Sequence, residues 1–130
     1  MATRPVISIV DDDQSVREGT RDLIEAMGFA AWTFDCAEKF LESNSVDTTV
    51  CLIADVRLPG MTGPELHNHL VGSGKHIPTI LITAFKGEKE RMSALRAGAV
   101  CYLTKPLDER ELVACIQCAF EGQKRNRARS

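Results

Sequence analysis

Compact apolar runs and helical stretches alternate five times along the chain. Val6-Ile7-Ser8-Ile9-Val10 is short, β-branched and ends abruptly in acids, which predicts a buried strand. Val16, Thr20, Leu23, Ile24 and Met27 then recur at i, i+4, i+7, i+8 and i+11, one face of a helix that Gly28 stops. Ala30–Phe34 is the second predicted strand, Ala37–Leu41 the centre of the second helix, and Thr49–Ala54 a third strand apolar on both faces. After the loop Leu58-Pro59-Gly60-Met61-Thr62-Gly63-Pro64, the closing proline opens a third helix through Leu66 and Leu70. Pro78–Thr83 is predicted as the fourth strand. Glu88–Ala97 follows as the fourth helix, with Gly98 its left-handed stop, then Ala99–Leu103 as the fifth strand. Asp108 and Glu111 stand in a capping-box arrangement before a fifth helix, whose inner face is Leu112, Cys115, Ile116, Ala119 and Phe120.

Strands apolar on both faces, each followed by a helix, specify an α/β fold: a doubly wound, mostly parallel sheet with right-handed crossovers. The chain's 130 residues make about one domain, expected over residues 1–122, with residues 123–130 a basic tail or the start of a linker. A core of this size needs no disulfide or metal staple. The longest apolar runs are far too short to span a bilayer, and the opening lacks a secretory signal, so the cytoplasm is expected.

Net charge is −2, unevenly spread. Lys124, Arg125, Arg127 and Arg129 face no acid in the last eight residues, which leaves an acidic body over residues 1–122. That balance argues against direct nucleic-acid binding by the domain, and the basic tail reads as a solvated linker. Five cysteines without an export signal argue against a disulfide framework. Cys115-x-x-Cys118 lies in a helical pattern with no second pair and no neighbouring His, so it reads as two buried thiols rather than a metal or redox site. His67 and His69 are two apart on a helix and cannot share a ligand. Gly72-Ser73-Gly74-Lys75 lacks the first glycine and the terminal hydroxyl of a phosphate loop.

In open α/β sheets, ligands bind outside the carboxyl ends of the strands. Strand one ends in Asp11-Asp12-Asp13, strand three in Asp55, strand four in Thr83-Ala84, and strand five, two residues on, in Lys105-Pro106. Acids, a hydroxyl and a lysine therefore converge on one sheet edge. Two like charges about 4 Å apart repel by roughly 4 kcal/mol at an effective dielectric near 20. Asp11, Asp12 and Asp55 together need a cation, and Mg²⁺ held by carboxylates, waters and a phosphoryl oxygen fits. Lys105 adds a point charge for a phosphate oxygen.

Val-Asp-Asp-Asp from Val10, Asp-Val-Arg-Leu-Pro-Gly-Met-Thr-Gly from Asp55, Ile-Thr-Ala from Ile82 and Tyr-Leu-Thr-Lys-Pro from Tyr102 resemble, in order and spacing, the receiver domain of two-component response regulators. The resemblance covers about residues 4–122 and is strongest to receivers that precede a helix-turn-helix output domain. It implies the flavodoxin-like (βα)5 fold with strand order 2-1-3-4-5. It also implies Asp55 as phosphoacceptor from a sensor histidine kinase. By the same resemblance Asp11, Asp12, Asp55 and the backbone carbonyl of Arg57 hold Mg²⁺, and Lys105 and Thr83 contact the phosphoryl group. Thr83 and Tyr102 then form the switch, and Lys105-Pro106 matches a cis peptide. Such a chain is not an enzyme beyond transfer to and hydrolysis from its own aspartate. Its fourth helix, fifth strand and fifth helix form the face for homodimerisation or for control of a DNA-binding output domain. Asp13 matches no metal position and reads as a solvated loop acid. In that family the positions two beyond the phosphoacceptor and the switch hydroxyl flank the path of hydrolytic water; here they are Arg57 and Phe85, which are therefore expected to tune phosphoryl lifetime.

Three other readings fit less of the chain. An aspartyl-nucleophile Mg²⁺ phosphatase wants an acid two beyond Asp55, where Arg57 stands. A flavin module wants a hydroxyl- and glycine-rich loop where three acids lie. A receiver-like interaction module that no longer takes phosphate leaves the complete residue set without a use.

Overall fold

The apolar runs pair side by side because strands buried on both faces can satisfy their backbone groups only inside a covered sheet. The computed structural model describes residues 4–129, with side chains as far as residue 121. Five strands, β1 (Val6–Val10), β2 (Ala30–Phe34), β3 (Thr49–Asp55), β4 (Thr79–Thr83) and β5 (Cys101–Thr104), form one parallel sheet in the order β2-β1-β3-β4-β5. Five helices alternate with them: α1 (Gln14–Ala26), α2 (Ala37–Glu42), α3 (Gly63–Gly72), α4 (Glu88–Arg96) and α5 (Glu109–Arg129). This is the expected doubly wound α/β fold.

Alternate residues of each strand feed two separate cores. Ile7, Ile9, Cys51, Ile53, Ile80 and Ile82 face Ile24 of α1 and Leu112, Cys115, Ile116 and Ala119 of α5. Val10, Leu52, Ala54 and Leu81 face Phe40 of α2, Leu66 and Leu70 of α3 and Ala94 of α4. Ser8 and Thr49 are among the buried polar strand residues, and their hydroxyls share a 2.7 Å hydrogen bond. Gly28 and Gly98 end α1 and α4 at φ 95° and 105°, where a side chain would be strained.

Three local expectations change. β5 begins at Cys101, not Ala99, because the Ala99 N–H is spent on Ala94 O in closing the end of α4. A short 3-10 helix at Asn44–Val46 joins α2 to β3 and was not expected. The backbone of α5 continues through Arg129, so the basic stretch after residue 122 is helical; its side chains lie outside those described.

The cysteines depart further from expectation. Cys101 of β5 and Cys115 of α5 form a disulfide with Cα atoms 6.0 Å apart, while Cys118 is exposed. A separation of 14 residues carries no pairing signal in the sequence; the strand-to-helix crossover brings the two sulfurs together. Cys118 lies one turn past Cys115 but off the buried stripe, so only one of the two helical thiols enters the core.

Candidate functional site

The register of the central strands builds the site. Val10 pairs with Ala54, so the next residues, Asp11 just past β1 and Asp55 at the end of β3, stand side by side. Carboxylate oxygens of Asp11, Asp12 and Asp55 all lie within 4.8 Å of one another. Asp12 is exposed, whereas Asp11 is fully buried and Asp55 is 6% exposed. β5 delivers the counter-charge: Lys105 Nζ lies 2.6 Å from Asp55 Oδ2 and 3.0 Å from Asp11 Oδ2. The Lys105 N–H donates to Thr83 O at 2.7 Å, which ties the end of β5 to that of β4. The Lys105–Pro106 peptide is cis.

Each acid is also held by backbone. Asp55 Oδ1 accepts from the Arg57 N–H at 2.9 Å, and Asp11 Oδ1 accepts from the Asp13 N–H at 2.9 Å. Asp11 Oδ2 faces the Lys105 ammonium off-axis and accepts no hydrogen bond, a buried oxygen lacking a donor. Burial pushes the Asp11 carboxyl above the ordinary carboxylate value, against the pull of the Asp13 N–H and Lys105. Burial alone would lower the Lys105 value, but the hydrogen bond to Asp55 and the charge of the Asp11 carboxylate beside it outweigh burial and leave the ammonium above the ordinary lysine range.

Three carboxylates against one ammonium leave an excess of two negative charges, and one buried oxygen waits for a partner. A divalent cation with oxygen ligands matches both the charge and the orphaned atom. Thr83 is buried at the end of β4, its hydroxyl accepting from the Phe85 N–H at 3.2 Å. Tyr102 is half-buried on β5, where burial raises its phenol above the ordinary value and a Thr83 contact partly offsets that. The ring borders a cavity of about 360 Å³ between α3 and α4, lined by His67, Leu81 and Ala94.

Arg57 and Phe85 meet face on. The guanidinium carbon sits 3.6 Å from the centroid of the exposed ring, joining the loops after β3 and β4. Asp13 is more than a loop acid: its Oδ1 accepts from the Val16 N–H at 3.2 Å and caps α1.

Five supporting residues escaped the sequence reading. Arg17 Nη1 donates to Asp11 O at 2.7 Å, and Glu38 of α2 accepts from the Met61 N–H at 2.9 Å. Thr62 and Glu65 form a full capping box at the start of α3, a signature visible in Thr-Gly-Pro-Glu. Gly63 packs so closely that a Cβ there would collide with the Asp55 carbonyl. Nothing in the sequence signals that approach or the Glu38 contact, since both depend on where the loop folds back.

Comparison with known proteins matches residues 7–117 to the response regulator receiver domain. The chain is 33% identical to nodulation protein W of Bradyrhizobium diazoefficiens over 126 residues, 97% of this chain and 56% of that protein. It is 36% identical to the response regulator protein TodT of Pseudomonas putida over 116 residues, 89% of this chain and 51% of that protein. The chain thus spans about half the length of these relatives. Among solved structures, the response regulator StyR superposes with a TM-score of 0.86 at 41% identity, covering 98% of this chain and 65% of that one. FixJ-N superposes with a TM-score of 0.80 at 31% identity, covering 93% and 96%. With sheet order, acid cluster and sequence all in agreement, the chain belongs to the response regulator receiver domains.

Proposed function

We propose that Asp55 accepts a phosphoryl group from a phosphohistidine of a sensor kinase. The observation that carries this reading is the meeting of Asp11, Asp12 and Asp55 around the Lys105 ammonium. A carboxylate oxygen of Asp55 attacks phosphorus, the P–N bond breaks, and the imidazole leaves with its electron pair; the product is an acyl phosphate. The Arg57 N–H holds the other carboxylate oxygen in place, and Lys105 neutralises charge on the incoming phosphoryl oxygens. Asp11, Asp12, Asp55 and the Arg57 carbonyl would hold Mg²⁺, whose charge shields the nucleophile from phosphoryl repulsion.

Thr83 then turns its hydroxyl toward the phosphoryl group and gives up the Phe85 N–H, and the Tyr102 ring moves into the space beside α4. Moving such an equilibrium from mostly inactive to mostly active takes about 5.5 kcal/mol of differential interaction. The chain acts on its own aspartate and turns over no external substrate. We read residues 1–122 as the receiver and residues 123–130 as a basic tail or the start of a linker. FixJ of Bradyrhizobium diazoefficiens is named a transcriptional regulatory protein, which supports an output domain that controls transcription in the whole protein.

Incubation with a small phosphodonor and Mg²⁺, followed by intact mass, tests the chemistry. A gain of one phosphoryl group, absent in Asp55→Asn and without Mg²⁺, is expected. No gain in the wild-type chain, or equal gain in the variant, refutes it.

A further inference from the structure

We propose that Cys101 and Cys115 form a reversible redox site that clamps α5 to β5 beside Tyr102. The two Cα atoms are 6.0 Å apart, within the span a disulfide bridges without backbone movement. Three observations distinguish this pair from a structural staple. The two cores already cover both faces of the sheet, and a domain of this size stands without cross-links. Cys101 is partly exposed, whereas Cys115 is buried. The bond joins a strand and the helix that follows it, packed against each other through Leu103, Leu112 and Ile116.

The placement gives the bond a consequence. Cys101 directly precedes Tyr102, and four residues further on Lys105 reaches Asp55 and Asp11. Closing the bond restrains β5 against α5 at the base of the strand whose far end holds the acid cluster. Opening it releases that restraint without touching the acids.

The oxidant is a low-molecular-weight disulfide. One cysteine thiolate of the chain attacks a sulfur of that disulfide and expels a small thiolate, leaving a mixed disulfide. The second thiolate attacks the protein-side sulfur, expels the other small thiol and closes the Cys101–Cys115 bond. The two chain thiols give up two electrons and two protons, and the donor leaves as two thiols. A small thiol in excess reverses both steps. None of this depends on whether Asp55 takes a phosphoryl group.

The test starts from the fully reduced 130-residue chain and uses oxidised, then reduced, glutathione under native conditions. The expected result is loss of two hydrogen masses, a mapped Cys101–Cys115 linkage, and full recovery of the mass on adding reduced glutathione. Oxidation should raise the thermal midpoint by about 5–10 °C. It should also slow deuterium exchange in residues 109–121. Cys118→Ser should keep these effects, and Cys101→Ser and Cys115→Ser should each lose them. Linkage of Cys115 to Cys118, mixed disulfides alone, a bond that opens only in denaturant, or identical exchange in the two forms would each overturn the proposal.

Discussion

Asp11 shows how a single residue trades stability for a binding site. It is fully buried, one oxygen has no donor, and a second carboxylate stands beside it. Because its carboxyl sits above the ordinary value of 3.8, the ionised form is disfavoured in the folded state, and that cost is fully present above the raised value. It fades as pH falls toward the ordinary value, where the folded protein takes up the proton first. Asp11→Asn should therefore raise metal-free stability at pH 7, read as a higher urea midpoint. The same variant should lose most of the thermal stabilisation by Mg²⁺ that the wild-type chain shows. A lower metal-free stability, or an undiminished Mg²⁺ shift, contradicts this account. The Arg57–Phe85 pair belongs to the same scale. Each residue is anchored by its N–H to a side chain of the site, and the stacked groups join the two loops. The double variant Arg57→Ala, Phe85→Ala should shorten the phosphoryl half-life severalfold, and equal half-lives would show that the pair does not limit water.

The loop between β3 and α3 carries more of the design at the scale of elements. The Thr62–Glu65 box fixes the first turn of α3, Pro64 sits in that turn, and Gly63 lets the helix start press on the Asp55 carbonyl. Its N–H donates to Val56 O at 3.1 Å, and Glu38 holds Met61 from outside. Gly63→Ala must push the helix start away from Asp55 and should cost about 1–3 kcal/mol in urea unfolding. It should also slow phosphoryl acceptance, while Thr62→Ala, costing about 1 kcal/mol through the lost cap, should leave acceptance near wild type. Equal rates in both variants would separate the glycine from the site. The elements themselves were largely legible: β1, β2 and the start of β3 fall at the expected residues, because burial on both faces and abrupt polar ends mark them. The strand boundary missed furthest was the start of β5. There the end of α4 competes for Ala99, and a hydrogen bond settles what hydropathy cannot.

Across the whole molecule, the sheet order places the two acid-bearing strands at the centre and β5 at the edge. That edge, with α4 and α5, is free of further sheet and carries Tyr102. Phosphorylation replaces the single negative charge of the Asp55 carboxylate with a phosphoryl group of roughly −1.5 to −2, next to Lys105 at the end of this edge strand. If the face serves self-association, phosphorylated chain should sediment as a dimer at concentrations where the unmodified chain and Asp55→Asn remain monomeric. Equal sedimentation of modified and unmodified chain would leave the face to another partner. Among the described residues no helix is long and apolar enough to cross a membrane.

Local chemistry is written where the chain can feel it without folding. Alternation of strand and helix, the acids and lysine at strand ends, and the glycine stops all follow from backbone period and steric allowance, which act over a few residues. The motifs even carried the sheet order, through their likeness to a family. What the tertiary structure alone decided are the pairings between residues far apart in sequence. Lys105 bonds Asp55 at 2.6 Å and stands at 3.0 Å from Asp11 without bonding it well. Arg57 lies on Phe85, Gly63 presses on Asp55, and Cys101 finds Cys115 rather than leaving a buried thiol. Such contacts depend on register and crossover geometry to within an ångström, and no pattern along a single chain encodes distance at that precision.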